Sequence, residues 1–86
     1  MNRRKLLTRL AGGECHNVAF HDMMDLVRGF GFQLVRTRGS HHIFQHNAIP
    51  EQLNLQEVSR QAKPFQIRQF LRLVERHNLR LEKEEE

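Results

Sequence analysis

The stretch Phe32-Gln33-Leu34-Val35-Arg36-Thr37-Arg38-Gly39-Ser40-His41-His42-Ile43-Phe44-Gln45-His46 decides the fold of this chain. In its first six residues Phe32, Leu34 and Arg36 alternate with Gln33, Val35 and Thr37, and that period of two with β-branched side chains predicts a strand. Arg38-Gly39-Ser40 makes a turn, and residues 41–46 form a second strand. On that strand His42, Phe44 and His46 share one face, and His41, Ile43 and Gln45 the other. Each face carries an apolar residue, so periodicity leaves open which histidine meets solvent.

Toward the C-terminus, residues 47–50 form a break and Gln52-Leu53-Asn54-Leu55 a short third strand, which together predict an antiparallel meander. Residues 56–63 are polar and are expected to be loop. Pro64 is preorganised for a first helical turn, and Ile67, Phe70, Leu71 and Val74 then fall at i, i+3, i+4 and i+7. Arg68, Arg72 and Arg76 lie four apart on a different face, and Asn78 ends the helix. Toward the N-terminus, a helix is expected over 21–30, with Met23, Met24, Leu26, Val27 and Phe30 inward and a frayed end at Gly29 and Gly31. Residues 3–11 predict a further helix through Leu6, Leu7 and Leu10, stopped by Gly12-Gly13. The fold class expected is α+β: a three-stranded antiparallel sheet with helices on one face and the other face open. This order resembles the double-stranded-RNA-binding fold with one helix added at its N-terminus, whose docking the sequence leaves unplaced.

At 86 residues the chain is one small domain with a modest core. Its single cysteine, Cys15, excludes an intramolecular disulfide and fits a reducing compartment. No apolar run approaches the roughly 20 residues that span a bilayer, so a cytoplasmic location is expected. Residues 79–86 set four glutamates against Arg80 and Lys83, a local −2 that leaves +6 of the chain's +4 total on the first 78 residues. A domain this basic suits a polyanion such as nucleic acid, although basicity also serves solubility. The acidic tail is expected to be solvated and frayed.

The chemistry is densest at the turn between the first two strands. A Gly39-Ser40 turn brings backbone amides close to a phosphate, and the neighbouring histidines can exchange protons near neutrality. Arg36 and Arg38 could bind the phosphate and offset its developing charge. Together these are the base, acid and charge clamp that attack of a ribose 2′-hydroxyl on phosphorus requires. The same histidines could equally cap a turn or cover a sheet edge. Lys63 could meet a phosphate at the helix start or simply flank the helix. The arginine stripe at 68, 72 and 76 has a phosphate-tracking and a solvated-face reading. Cys15 and His16 with His41, His42 or His46 are zinc-type ligands, but they lack paired ligand spacing, and no metal or other cofactor is expected.

Four blocks in order carry a family resemblance: Phe30-Gly31-Phe32-Gln33-Leu34-Val35-Arg36, Gly39-Ser40-His41-His42-Ile43-Phe44-Gln45-His46, Leu53-Asn54-Leu55-Gln56 and Ala62-Lys63-Pro64-Phe65-Gln66-Ile67-Arg68. They resemble successive blocks of the HicA toxins. The resemblance implies a double-stranded-RNA-binding-like fold, metal-independent cleavage of messenger RNA, and inhibition by a HicB-type antitoxin. It assigns the catalytic role to the fourth residue of Gly-Ser-x-His, here His42; position x, here His41, varies in the family. Arg36, Arg38, Gly39, Ser40, His41, Lys63 and Arg68 are the RNA-binding candidates. Many family members begin near residue 21, whereas this chain carries residues 1–20, a longer segment after Leu55 and an acidic tail. Residues 1–18 are accordingly read as an extension, 19–78 as the RNA-binding and nuclease domain, and 79–86 as the tail. Two other readings use the same fold: a non-catalytic RNA-binding module, and a protein whose basic surface meets only an acidic partner chain.

Overall fold

The computed structural model describes residues 2–82 as three helices and one antiparallel sheet. The helices are α1 (Arg3–Ala11), α2 (Phe20–Gly29) and α3 (Pro64–Arg76), and the strands are β1 (Gln33–Arg38), β2 (His41–Gln45), β3 (Leu53–Val58) and β4 (Gln61–Ala62), paired in the order β1-β2-β3-β4. The α+β class is as expected, but the sheet has a fourth strand where a loop was predicted over 56–63. The alternation of Leu53 and Leu55 with Asn54 and Gln56 runs on through Val58. The chain then reverses at Ser59 and Arg60, both in the left-handed region (φ 52° and 64°). Two positive φ angles form a type I′ hairpin turn, usually marked by Asn-Gly, so the sequence carried no turn signal there.

Helices cover one sheet face, and the core lies between. Phe44, Leu53 and Leu55 from the sheet, Met23, Leu26 and Val27 from α2, and Ile67 and Phe70 from α3 are fully buried. Phe70 receives Phe30 and Phe32 edge-on, at ring-centroid distances of 5.3 and 5.9 Å. The other face stays open. The register pairs Arg36 with Ile43, Arg38 with His41, His41 with Gln56 and Ile43 with Asn54, so these side chains share it.

Strict alternation along β1 fails at one point. A bulge between Leu34 and Arg36 inserts Val35 without a partner on β2. One extra residue reverses the phase of every position after it on the strand. Leu34 therefore shares the helix side with Thr37, while Arg36 and Arg38 turn to the open face. The expected grouping of Leu34 with Arg36 is corrected by this bulge.

α1 begins at Asn2, whose Oδ1 accepts hydrogen bonds from the Arg4 and Lys5 amides at 2.8 and 3.1 Å. The helix docks on α2 by burying Leu6 and Leu10, and Arg3 makes a two-bonded ion pair with Asp25 at 2.9 and 3.0 Å. At the end of α2, Gly31, at φ +95°, donates its amide hydrogen to the Arg28 carbonyl, and the Phe32 amide reaches the Val27 carbonyl. Residues 79–82, expected to be solvated with the tail, pack back: Leu79 and Leu81 cover the core and the Glu82 amide bonds the Gly29 carbonyl at 2.8 Å. Residues 83–86 of that tail lie outside the described residues. At the opposite end of the sheet from the β1–β2 turn, Glu51 accepts from His77 at 2.9 Å and Arg76 at 3.1 Å. The His77 bond, the Glu51 amide and Arg76 hold its carboxyl below the usual range. Among the described residues, no helix is long and apolar enough to cross a membrane.

Candidate functional site

Gly39 and Ser40 form a two-residue loop between the paired residues Arg38 and His41. Gly39 takes φ +55° and Ser40 does not join it at positive φ, the pattern of a type II′ turn with glycine first. No atom lies within 4 Å of where a Gly39 Cβ would stand, so the glycine serves the backbone angle and leaves its outer surface open. The Ser40 carbonyl accepts the Glu57 amide at 2.9 Å and lies 3.2 Å from His42 Nδ1. Ser40 Oγ accepts from Gln56 Nε2 at 3.3 Å. The Gln56 amide points away from β2 and bonds the Gln66 side chain in the first turn of α3. The turn, β3 and the start of α3 are thus joined by consecutive hydrogen bonds.

His42 sits on the helix-facing side in register with Thr37 and Leu55. It is only half-buried, and its ring rests on Phe20 at a centroid distance of 4.7 Å and a tilt of 57°. Phe20 is fixed by its own amide, which bonds the Arg60 carbonyl at 2.8 Å, so the β3–β4 turn positions the ring under His42. A carbonyl oxygen can only accept. In the neutral imidazole this bond places the hydrogen on Nδ1, toward Ser40, and leaves Nε2 as the acceptor nitrogen. Among the described residues, no hydrogen-bond partner faces Nε2.

His41 points the other way, and its Nδ1 lies 3.3 Å from Asn54 Oδ1 on the open face. Arg36 and Arg38 are exposed on that same face, so Gly39, Ser40 and His42 come together while Arg36, Arg38 and His41 lie behind them. Lys63 is exposed at the N-cap of α3 and Arg68 is exposed on that helix. His46 has a different role. Its Nε2 donates to the Phe30 carbonyl at 2.9 Å and its Nδ1 accepts the Ala48 amide at 3.0 Å, tying the end of α2 to β2. Cys15 is buried with its thiol toward the Leu10 carbonyl, whereas His16 is exposed. Among the described residues, no group of three or more His, Cys, Asp or Glu is arranged to hold a metal ion.

Phe20, Gln56 and Gln66 support the site and were not singled out for it from the sequence. Phe20 reads as the ordinary apolar residue before a helix, and the two glutamines fall in a polar stretch and a helix start. Only the continued alternation past Leu55 hints that Gln56 is a strand residue.

No curated protein and no solved structure matched this chain. The family model described as the HicA toxin of bacterial toxin–antitoxin matches residues 20–75, which run from the aromatic ring under His42 almost to the end of α3. That match covers more than half of the 86 residues and includes all four sequence blocks, so the chain belongs to the HicA toxin family of bacterial toxin–antitoxin systems.

Proposed function

We propose that this toxin is a metal-independent endoribonuclease that cleaves messenger RNA through His42 and is held inactive by a HicB-like antitoxin. The observation that carries the reading is the His42 ring, with Nδ1–H committed to the Ser40 carbonyl and Nε2 left as an open acceptor beside the Gly39-Ser40 turn. A base so held removes the proton from a ribose 2′-hydroxyl. O2′ then bonds to phosphorus, the bond from phosphorus to O5′ breaks, and the leaving oxygen takes a proton from water while His42 returns its own to solvent. The products are a 2′,3′-cyclic phosphate and a 5′-hydroxyl.

In this reading Gly39 and Ser40 seat the scissile phosphate against the turn. Lys63 and Arg68 hold the chain on the α3 side, and Arg36, Arg38 and His41 bind it where it passes over the sheet end. Each such phosphate contact makes binding weaker in salt. Loss of a general base typically lowers the rate by about 10²–10⁴-fold. Induced in a bacterial host at matched protein level, the wild type is expected to arrest growth and cut transcripts, read by primer extension, whereas His42→Ala does neither. Coexpression of the antitoxin is expected to restore growth. An intact arrest with His42→Ala removes His42 from the mechanism.

One observation favours a second reading, a non-catalytic RNA-binding module. Arg36, Arg38 and His41 form a basic patch on the face opposite His42. It predicts that Arg36→Ala and Arg38→Ala weaken binding while His42→Ala changes nothing.

A further inference from the structure

Phe65 stands out among the large apolar side chains. Six phenylalanines are present, and Phe20, Phe30, Phe32, Phe44 and Phe70 are all buried, while Phe65 is 65% exposed. Single exposed apolar residues are common on proteins, so the surroundings of this one matter more than its exposure. α3 packs inward through Ile67, Phe70 and Leu73. At 100° per residue Phe65 falls on the outward face with Arg68 at i+3 and Arg72 at i+7. Both arginines are exposed and neither has an acidic partner among the described residues. The rise of the helix spreads Phe65 and Arg72 over about 10 Å. An aromatic ring followed by unpaired guanidinium groups is the arrangement that stacks a base and follows a phosphate backbone.

The position of Phe65 relative to His42 is fixed by hydrogen bonds. Phe65 precedes Gln66, whose side chain accepts the Gln56 amide; Gln56 donates to Ser40 Oγ, and Ser40 accepts from His42. This relay sets the start of α3 about two strand spacings, ~10 Å, from the His42 strand. A base next to the scissile phosphate is within reach of a ring placed there.

We infer that Phe65 is a base-stacking platform and that Phe65, Arg68 and Arg72 form a track for single-stranded RNA leading to His42. The inference rests on the nuclease reading for its direction, yet binding can be tested without cleavage. A stacked ring needs an unpaired base, so the substrate class is single-stranded and a continuous duplex does not engage Phe65. The arginines give the same track its phosphate contacts.

The chain has no tryptophan, so Phe65→Trp introduces one reporter. In a His42→Ala background, a short mixed-sequence single-stranded oligoribonucleotide is expected to quench its fluorescence, and the matching duplex is not. Phe65→Leu keeps an apolar side chain but loses the ring face. It is expected to weaken oligonucleotide binding by about 5- to 150-fold with an unchanged melting temperature. Undiminished binding by Phe65→Leu, or equal quenching by duplex, overturns the inference. So does a loss confined to antitoxin affinity, which makes Phe65 a protein contact. Quenching and weakened binding alongside a wild type that cuts no transcript retains the track while discarding the nuclease reading.

Discussion

Two histidines near the sheet, His42 and His46, differ in how many ring nitrogens the backbone engages. His42 gives one nitrogen to a carbonyl and keeps the other open, whereas His46 spends both, one as donor and one as acceptor. A ring with both nitrogens engaged by backbone is a structural tie. Its removal leaves the Phe30 carbonyl and the Ala48 amide without their partner and deletes the edge contact to Phe32 at 5.1 Å. His46→Ala is therefore expected to cost about 1–3 kcal/mol of stability, seen in a denaturation curve. Cleavage per folded molecule is expected to stay unchanged below the melting transition. If the proposed nuclease function holds, the reverse pattern, retained folding with lost cleavage, is expected of His42→Ala. If His46→Ala loses cleavage while stable, the division of labour between the two rings is wrong.

At the scale of elements, the two tight turns solve the same problem unequally. The β1–β2 turn places glycine where φ is positive, but the β3–β4 turn forces Ser59 and Arg60 into that region. An L-residue there costs roughly 1–2 kcal/mol. In this turn the Arg60 carbonyl holds the Phe20 amide and so the ring beneath His42. Arg60→Gly keeps that carbonyl and relieves the strain, so the melting temperature is expected to rise by about 4–8 °C for ~1 kcal/mol gained. A lower melting temperature for Arg60→Gly would show that the arginine side chain outweighs the strain of its backbone.

For the whole molecule, the residues ahead of the family match are part of its body. Leu6, Leu10, Cys15 and Val18 join the common core, and the Arg3–Asp25 pair fastens α1 to α2. The Arg3 hydrogen bonds come first in holding the Asp25 carboxyl below its ordinary value of 3.8, against a smaller effect of burial. A depressed carboxyl pKa adds stability that is complete above the unfolded value and fades as pH falls through the folded one. The Asp25 side chain is half exposed and that of Arg3 about a third, so solvent screens the pair and it is worth about 0.2–1 kcal/mol. Asp25→Asn is expected to be that much less stable than wild type at neutral pH, with the difference closing below about pH 3.8. A gap that persists unchanged at pH 2 would trace to packing and not to charge. The open edge at β1 is guarded by its bulge and by Arg36 and Arg38, which discourage pairing with another strand.

Local pattern was enough for much of this. The 3.6-residue and two-residue periods, Pro64 and Gly12-Gly13 specified the helices and three strands, because each expresses torsional preference and one-sided burial within a short window. The blocks from Phe30 to Arg68 also carried the family, and the Gly-Ser-x-His block carried the His42 candidate. What only the tertiary structure decided depends on partners distant in sequence. The β1 bulge exists only against β2, and it sends Arg36 and Arg38 to the face away from His42. β4 exists only between β3 and the Val18–Phe20 segment, which is why a polar stretch with no turn signal concealed it. The face that each of His41 and His42 takes was set the same way. Both faces of β2 carry one apolar residue, so period alone was balanced, and the packing of Phe20 against one face assigned each ring its side.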